Sequence, residues 1–298
     1  MCQKRIFVTI DTEPDCDTNW NRIYPREYSN IREGIPKYLR PIWKKHNICP
    51  IYLLSPEIFW DSPSIDVLKS ELKKGARVGS HLHSEYIGPN IKPPNKIGRS
   101  SEYPCYAHAN NIEYQKLMNL TNMISDVFGV TPLWYRAARY GADLCTVRAL
   151  EKLGYLYDTS VTPGINWKNK GGPDFTDFPN QPYYISDKKF SKRKKNKKGI
   201  KEYPISIIGK RFGQLGKLFP NKWYLYRWLR PSVSTYYEMR TIIEDFEAFF
   251  KAPELVMMFH SNECVPGKSP YTRNELMHKL FLKRLDNILS LLKKKGYS

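Results

Sequence analysis

Arg5-Ile6-Phe7-Val8-Thr9-Ile10-Asp11-Thr12-Glu13-Pro14-Asp15 opens as a short apolar, β-branched run and ends in carboxylates and a proline. The run predicts a buried strand. Asp11 and Glu13 are separated by one residue, so an extended chain presents both on the same side. Two carboxylates on one face, at the mouth of a buried strand, repel each other. A cation, or a proton held by one of them, relieves that repulsion. The start of a solvated loop accounts for the same residues, so this stretch alone leaves both readings open.

Working outward, 298 residues fit one large α/β domain or two ordinary ones, and 41% hydrophobic content supplies a sizeable core. There is no run of eighteen apolar residues, so no spanning helix is expected. The N-terminus shows no apolar segment ahead of a small-residue cleavage site, which sets the expectation of a cytoplasmic protein. The six cysteines (Cys2, Cys16, Cys49, Cys105, Cys145, Cys264) are scattered without CxxC spacing. They read as reduced thiols and give no support to a zinc finger. The net charge of +19 draws the chain toward polyanions: nucleic acid, anionic lipid or acidic glycan. Part of the excess is the run Lys188–Lys201, KKFSKRKKNKKGIK, read as a solvated loop inserted at about 186–201.

In chain order, Ile35, Tyr38, Leu39, Ile42 and Trp43 recur at helical spacing, and Ile48 to Leu54 reads as a strand. Ser55-Pro56-Glu57 has the pattern of a helix start, and a helix near Ser64 to Lys74 is expected to stop at Gly75. Ala76 to Ser80 is a strand running into His81-Leu82-His83-Ser84-Glu85. Ile87 to His108 is a long aperiodic loop, of the kind that tends to carry function. A helix with Leu117, Leu120, Ile124 and Phe128 on one stripe ends at Gly129, and the strand Leu133–Tyr135 enters Arg136-Ala137-Ala138-Arg139-Tyr140-Gly141. Leu144, Val147 and Leu150 mark another helix, followed by the strand Tyr155–Tyr157 that ends at Asp158. Glu202–Ile208 reads as a strand, Tyr236–Phe250 as a helix, and Glu254–Phe259 as a buried strand entering His260. Thr272-Arg273-Asn274-Glu275 is a capping-box pattern before the last helix. His46 and His278 read as surface residues, and His108 as a residue of the long loop without an assigned role.

The alternation of strand and helix, repeated about seven times, argues for one parallel α/β domain over 1–298, because no repeat or linker divides it. Asp11, His81, Arg136, Asp158 and His260 each fall at the C-terminal end of an expected strand. In parallel α/β folds that edge hosts the chemistry.

These stretches resemble the polysaccharide deacetylase family with the NodB homology domain, a group akin to carbohydrate esterase family 4. VTIDTE stands where the family has its catalytic and metal-binding aspartates, and GSHLHSEY where it has its metal histidines. YRAARYG matches its arginine motif, YDTSVTPG its aspartate motif, and MMFHSNECVPGKSPY its last histidine motif. The resemblance implies a distorted (β/α) barrel of about seven parallel strands and metal-assisted hydrolysis of an N-acyl group, usually N-acetyl, on an amino sugar or glycan. A deformylase or cyclic-amide hydrolase on the same fold, or an inactive glycan-binding module, are the alternatives. It further implies Asp11 as base, His260 as general acid, and Arg136 and Asp158 as groups that orient or tune them. Glu13, His81 and His83 are implied as ligands of one divalent ion, Zn2+ by preference, with Co2+ or Ni2+ as substitutes. Tyr140, Trp228 and Arg230 are implied as substrate-binding residues.

The sequence departs from the family pattern twice. Thr12 separates Asp11 from Glu13, where the commoner pattern has adjacent aspartates. The commoner histidine spacing of four puts Glu85 where a ligand is expected. An extended segment gives His81 and His83 one face, whereas a helical turn would present Glu85. No nucleic-acid-reading motif is present, so no specific nucleic acid is expected. Lys210 to Arg230, KRFGQLGKLFPNKWYLYRWLR, mixes aromatic and basic residues without an acid. It suggests peripheral contact with anionic membrane, at the inner face of the cytoplasmic membrane.

Overall fold

The computed structural model describes residues 3–91, 103–107, 109–194, 197–210, 225–251 and 253–298. Its organising element is the strand expected from the opening stretch, β1 (Arg5–Thr12). Val8 and Ile10 are buried in the core, and the strand stays buried through Thr12. β1 lies between β11 (Glu254–His260) and β2 (Ile51–Leu54), parallel to both. From β2 the sheet continues through β3 (Arg77–Leu82), β4 (Trp134–Ala137), β5 (Tyr157–Asp158) and β8 (Lys201–Glu202). Each of these six pairings is parallel, so the expected seven parallel strands are present. β6 (Tyr183–Ser186) and β7 (Lys189–Arg193) add an antiparallel hairpin beyond β8.

The sheet curls into a distorted α/β barrel, and the seam between β8 and β11 is closed by irregular chain. Ser206 donates its N–H to Val256 O at 3.1 Å, and its hydroxyl accepts from Val256 N at 2.9 Å. Leu229 N–H donates to Ser206 O, and Met258 N–H to Leu229 O. The stretch expected as one strand over Glu202–Ile208 is therefore two pieces. β8 stops at Glu202, and β9 (Ile207–Lys210) pairs with β10 (Tyr226–Trp228) away from the main sheet.

The helices pack outside the sheet: α1 (Arg40–His46), α2 (Ser62–Leu72), α3 (Pro104–Ala107), α4 (Asn110–Phe128), α5 (Leu144–Lys152), α6 (Tyr236–Phe249) and α7 (Glu275–Lys294). α1 continues a π-helix over Asn30–Leu39, whose Ile31, Ile35 and Leu39 enter the core. Asp61 caps α2 by accepting from Ser64 N, and Gly129 closes α4 in the left-handed conformation.

Several expectations change. The capping box at Thr272–Glu275 does not form. Asn274 caps α7 by accepting from Met277 N, because the Thr272 hydroxyl is occupied by Val265 O and Ser269. His46 and His278 are not surface residues. His46 Nε2 is 2.7 Å from Asp286 Oδ1, and His278 Nε2 donates to Cys264 O at 2.8 Å, so each buried ring has a partner that offsets desolvation. The basic run is not simply a loop: Lys189–Arg193 is β7. Its one apolar residue, Phe190, turns inward against Phe178 at 5.3 Å between ring centroids, while Lys192 and Arg193 face water. Residues 195–196 of that run, and 211–224 of the aromatic and basic stretch proposed for membrane contact, lie outside the described residues, as does His108. Among the described residues the five cysteines are unbridged, and no helix is long and apolar enough to cross a membrane.

Candidate metal and catalytic site

The C-terminal ends of the parallel strands converge on a cavity of about 270 Å³ lined in part by Asp11, Glu13, His81, His83 and His260. Register explains the convergence. Asp11 is the β1 partner of His260 on β11, and His81 on β3 is the partner of Arg136 on β4.

Glu13, His81 and His83 each offer one ligand atom, and these atoms lie within 4.8 Å of one another. Each imidazole is fixed by its far nitrogen. His81 Nδ1 is 3.0 Å from Arg136 O, where only a donor fits, which leaves Nε2 as the acceptor on the cluster side. His83 Nδ1 is 3.0 Å from Glu57 Oε1, and its Nε2 is 3.1 Å from Glu13 Oε2. Two imidazoles oriented by outer acceptors, with one carboxylate, are a donor set that fits a zinc-type divalent ion. His83 joins the cluster, and Glu85 does not. The segment stays extended through His83 and turns only at Ser84–Tyr86, which sends Glu85 toward Arg22 at 3.6 Å. Buried Lys116 secures that turn by donating to Ser84 O at 2.7 Å and Ile87 O at 2.6 Å.

The protonation pattern follows the surroundings. Burial pushes His81 down to about 4, against the opposing pull of Asp11. Burial would also lower His83, but Glu57 and Glu13 outweigh it and raise the ring to about 9. Glu13 is buried, which raises a carboxyl, yet His83 holds it below its ordinary value.

Asp11 sits at the floor, 2% exposed. Arg136 Nη1 donates to its Oδ1 at 2.6 Å, while Arg136 Nη2 and Nε donate to Thr9 Oγ1 and Thr159 O. Burial would raise Asp11, but the Arg136 guanidinium outweighs it, with His81 and His260 adding, and the carboxyl stays ionised far below the usual range. Its other oxygen, Oδ2, is 3.7 Å from His260 Nε2. His260 is held at Nδ1 by Glu263 Oε1 at 3.1 Å, and Arg230 pairs with that carboxylate. The turn carrying Glu263 packs tightly on the helix that starts at Asn30. A Cβ on Gly34 would lie 2.5 Å from Cys264 Sγ. Asn30 Nδ2 ties the same turn to the residue that follows β1 by donating to Glu13 O at 2.8 Å and to Asn262 Oδ1 at 2.5 Å.

Asp158 was expected to orient the acid or base, and the structure places it elsewhere. It is the register partner of Glu202 on β8, so the two side chains share a face. Its Oδ1 accepts from the Ser160 hydroxyl at 2.6 Å, and Oε1 of the neighbouring Glu202 accepts from Val161 N at 3.1 Å. Burial raises both groups, and Asp158 raises Glu202 further. The group on His260 is Glu263. Arg22, Glu57 and Glu263 were missed in the sequence: Glu57 reads there as helix-start chemistry, and Arg22 and Glu263 fall on irregular chain. Of the residues expected to bind substrate, Tyr140, Trp228 and Arg230 all line the cavity, with Arg230 engaged by Glu263.

No protein-family model matches the chain, and no curated protein sequence matches it. Solved structures do. A protein assigned as a polysaccharide deacetylase from Mycobacterium smegmatis aligns at 13% identity over 99% of this chain and 92% of its own, with a TM-score of 0.48. A pseudoenzyme of the CE4 family from Bacillus anthracis aligns at 12% identity over 99% of this chain and 63% of its own, with a TM-score of 0.47. A 4-alpha-glucanotransferase from Thermococcus litoralis aligns at 14% identity over 97% of this chain and 38% of its own, with a TM-score of 0.51. A likeness at this identity is one of fold, and the site must carry the functional argument.

Proposed function

We propose that the protein is a metal-dependent hydrolase that removes an N-acyl group, N-acetyl by preference, from an amino sugar of a glycan or glycan precursor. One observation carries the reading: an ionised carboxylate, Asp11, and an imidazole, His260, stand 3.7 Å apart in the same cavity as a three-donor cluster. Glu13, His81 and His83 would hold the ion. When bound, a divalent metal polarises the amide carbonyl and makes a water easier to deprotonate.

The protein groups divide the remaining work. Asp11 takes the proton of the attacking water through Oδ2, the oxygen not held by Arg136. A carboxylate held this far down is a weak base, so the reaction relies on a water that is already acidified. His260 gives a proton through Nε2 to the departing nitrogen, which cannot leave as an amide anion. Glu263 holds the ring by Nδ1 and so aims Nε2 at the cavity.

The test measures acyl release from N-acylated amino sugars by the zinc-loaded chain and by two variants. Asp11→Asn should abolish release while keeping the metal, and His260→Ala should slow it by about 10²–10⁴-fold. Wild-type protein that binds glycan with no acyl release would replace this reading with that of a binding module.

A further inference from the structure

We propose that Trp20, with Tyr271, is the specificity-determining wall of the site: the apolar face of the departing amino-sugar ring rests on it, beside His260. The proposal rests on the hydrolase reading above, because His260 marks where the leaving nitrogen lies.

Trp20, Tyr271, Arg230 and His260 all line the cavity that holds the metal donors. The Trp20 ring packs on the His260 imidazole with 5.0 Å between centroids and 57° between planes. It meets Tyr271 edge to face at 5.8 Å and 74°. The Arg230 guanidinium lies over Tyr271, 4.6 Å from its ring centroid, and pairs with Glu263, which holds His260 at Nδ1. These contacts close a circle of five side chains. Acid and wall hang from one anchor, Arg230, so the gap between His260 and the aromatic wall is fixed. A nitrogen that takes its proton from His260 Nε2 therefore brings the ring it carries against that wall. A pyranose offers it a flat face of C–H groups, whereas a bare acyl fragment has nothing to lay there.

The turn that delivers Trp20 is organised for this placement. Trp20 has φ of 63°, a left-handed backbone that suits Gly or Asn and that a bulky residue adopts only where its surroundings hold it. Asp17 supplies the hold. Its Oδ1 accepts from Asn19 N at 2.7 Å and Asn21 N at 2.8 Å, and its Oδ2 from Asn21 Nδ2 at 2.9 Å. Its carbonyl accepts from Trp20 N at 3.2 Å. Cys16 and Arg22 pair as an antiparallel bridge at the base of the turn. Arg22 Nη1 donates to Glu57 Oε1 at 2.8 Å, and Glu57 holds His83, so the base is pinned at the metal donors while the tip reaches the acid. A half-buried indole, outside the core and in an unfavourable backbone conformation, is explained by contact with a ligand.

The test uses the zinc-loaded full chain with Trp20→Asn and Trp20→Phe. Asparagine suits the left-handed backbone, so the turn remains and only the ring is lost. The probes are acetate and whichever of N-acetylglucosamine and N-acetylgalactosamine the wild type binds tighter. Sugar binding is measured by calorimetry on protein that also carries Asp11→Asn, so that the sugar is not consumed. Trp20→Asn should weaken it about tenfold, and Trp20→Phe, which restores a ring, should recover most of the loss. Acetate carries no sugar ring and should bind both variants within about twofold of the wild type. With Asp11 in place, kcat/KM for the sugar should fall by about 10–100-fold in Trp20→Asn. Equal weakening of sugar and acetate would overturn the proposal, since that is the result of a distorted site. So would the absence of binding to either sugar. Acyl release with sugar binding and kcat/KM indifferent to Trp20 would overturn the wall and spare the hydrolase. Sugar binding that needs the ring, with no acyl release, would keep the wall and reject the hydrolase.

Discussion

Glu57 Oε1 lies 3.0 Å from His83 Nδ1, with both side chains shut away from solvent. The same carboxylate oxygen accepts from Arg22 Nη1 at 2.8 Å. Glu57 therefore decides which nitrogen of His83 carries the proton and which faces Glu13. Glu57→Gln keeps the shape and removes the charge. Its expected effect is a loss of about 10–100-fold in zinc affinity, measured by competition with a chromophoric chelator. An unchanged affinity would show that His83 is oriented without it.

The two histidines differ in charge before any metal arrives, His81 near 4 and His83 near 9. At pH 6 the first is already neutral and the second still protonated, while Glu13 is ionised. Zinc binding at pH 6 should thus release about one proton from the ligands, and not two. Titration calorimetry in buffers of different ionisation enthalpy counts it. A release near two would mean that His81 is protonated too and that its burial is less costly than its surroundings indicate.

Arg136 is fully buried, and its charge is matched by Asp11. Arg136→Met strands a buried carboxylate and should cost about 3–5 kcal/mol of stability. Adding Asp11→Asn should recover a large part of that loss, because the stranded charge is gone. Urea unfolding of the two single variants and the double variant gives the coupling. Purely additive losses would show that the pair is not energetically linked.

The parallel strands and their reactive ends were legible because periodicity and strand-end chemistry are local. Val8 and Ile10 alternate into the core, and Asp11, His81, Arg136 and His260 follow runs that read as strands without help. Glu57 was not legible, since it matters only through a partner brought close by the fold, His83, 26 residues away. Glu263 is three residues from His260, but the irregular turn that brings them together and its ion pair with Arg230, 33 residues away, gave no periodic signal. Asp158 misled for the same reason. Its motif position suggested a group that orients the acid or base, but the pairing of β5 with β8 sets it beside Glu202. The hairpin at β6 and β7 was hidden by the lysines around Phe190, whose burial depends on Phe175 and Phe178 from another loop.

Glu113 offers a test of the electrostatics away from the site. It lies on α4, 2% exposed, and accepts a hydrogen bond from the Thr146 hydroxyl of α5 at 2.8 Å. Burial is the main cause of its shift, with Asp143 adding, and the two overcome Thr146 to raise the carboxyl from 4.5 to about 7. The sign follows from the protons bound. Between those values the unfolded chain has lost the proton that the folded chain keeps, so folding stability falls as pH rises. The contribution is complete below 4.5, declines up to about 7, and is constant beyond. The full shift corresponds to about 3 kcal/mol as an upper bound. Glu113→Gln can still accept from Thr146 and carries no charge at any pH. The variant should match the wild type near pH 4.5 and exceed its stability by about 1–3 kcal/mol at pH 8. Urea unfolding of both proteins at these two pH values measures the difference, and other titrating groups cancel in the comparison. A difference that does not change with pH would mean that Glu113 is already ionised in its buried position at pH 4.5, or neutral throughout.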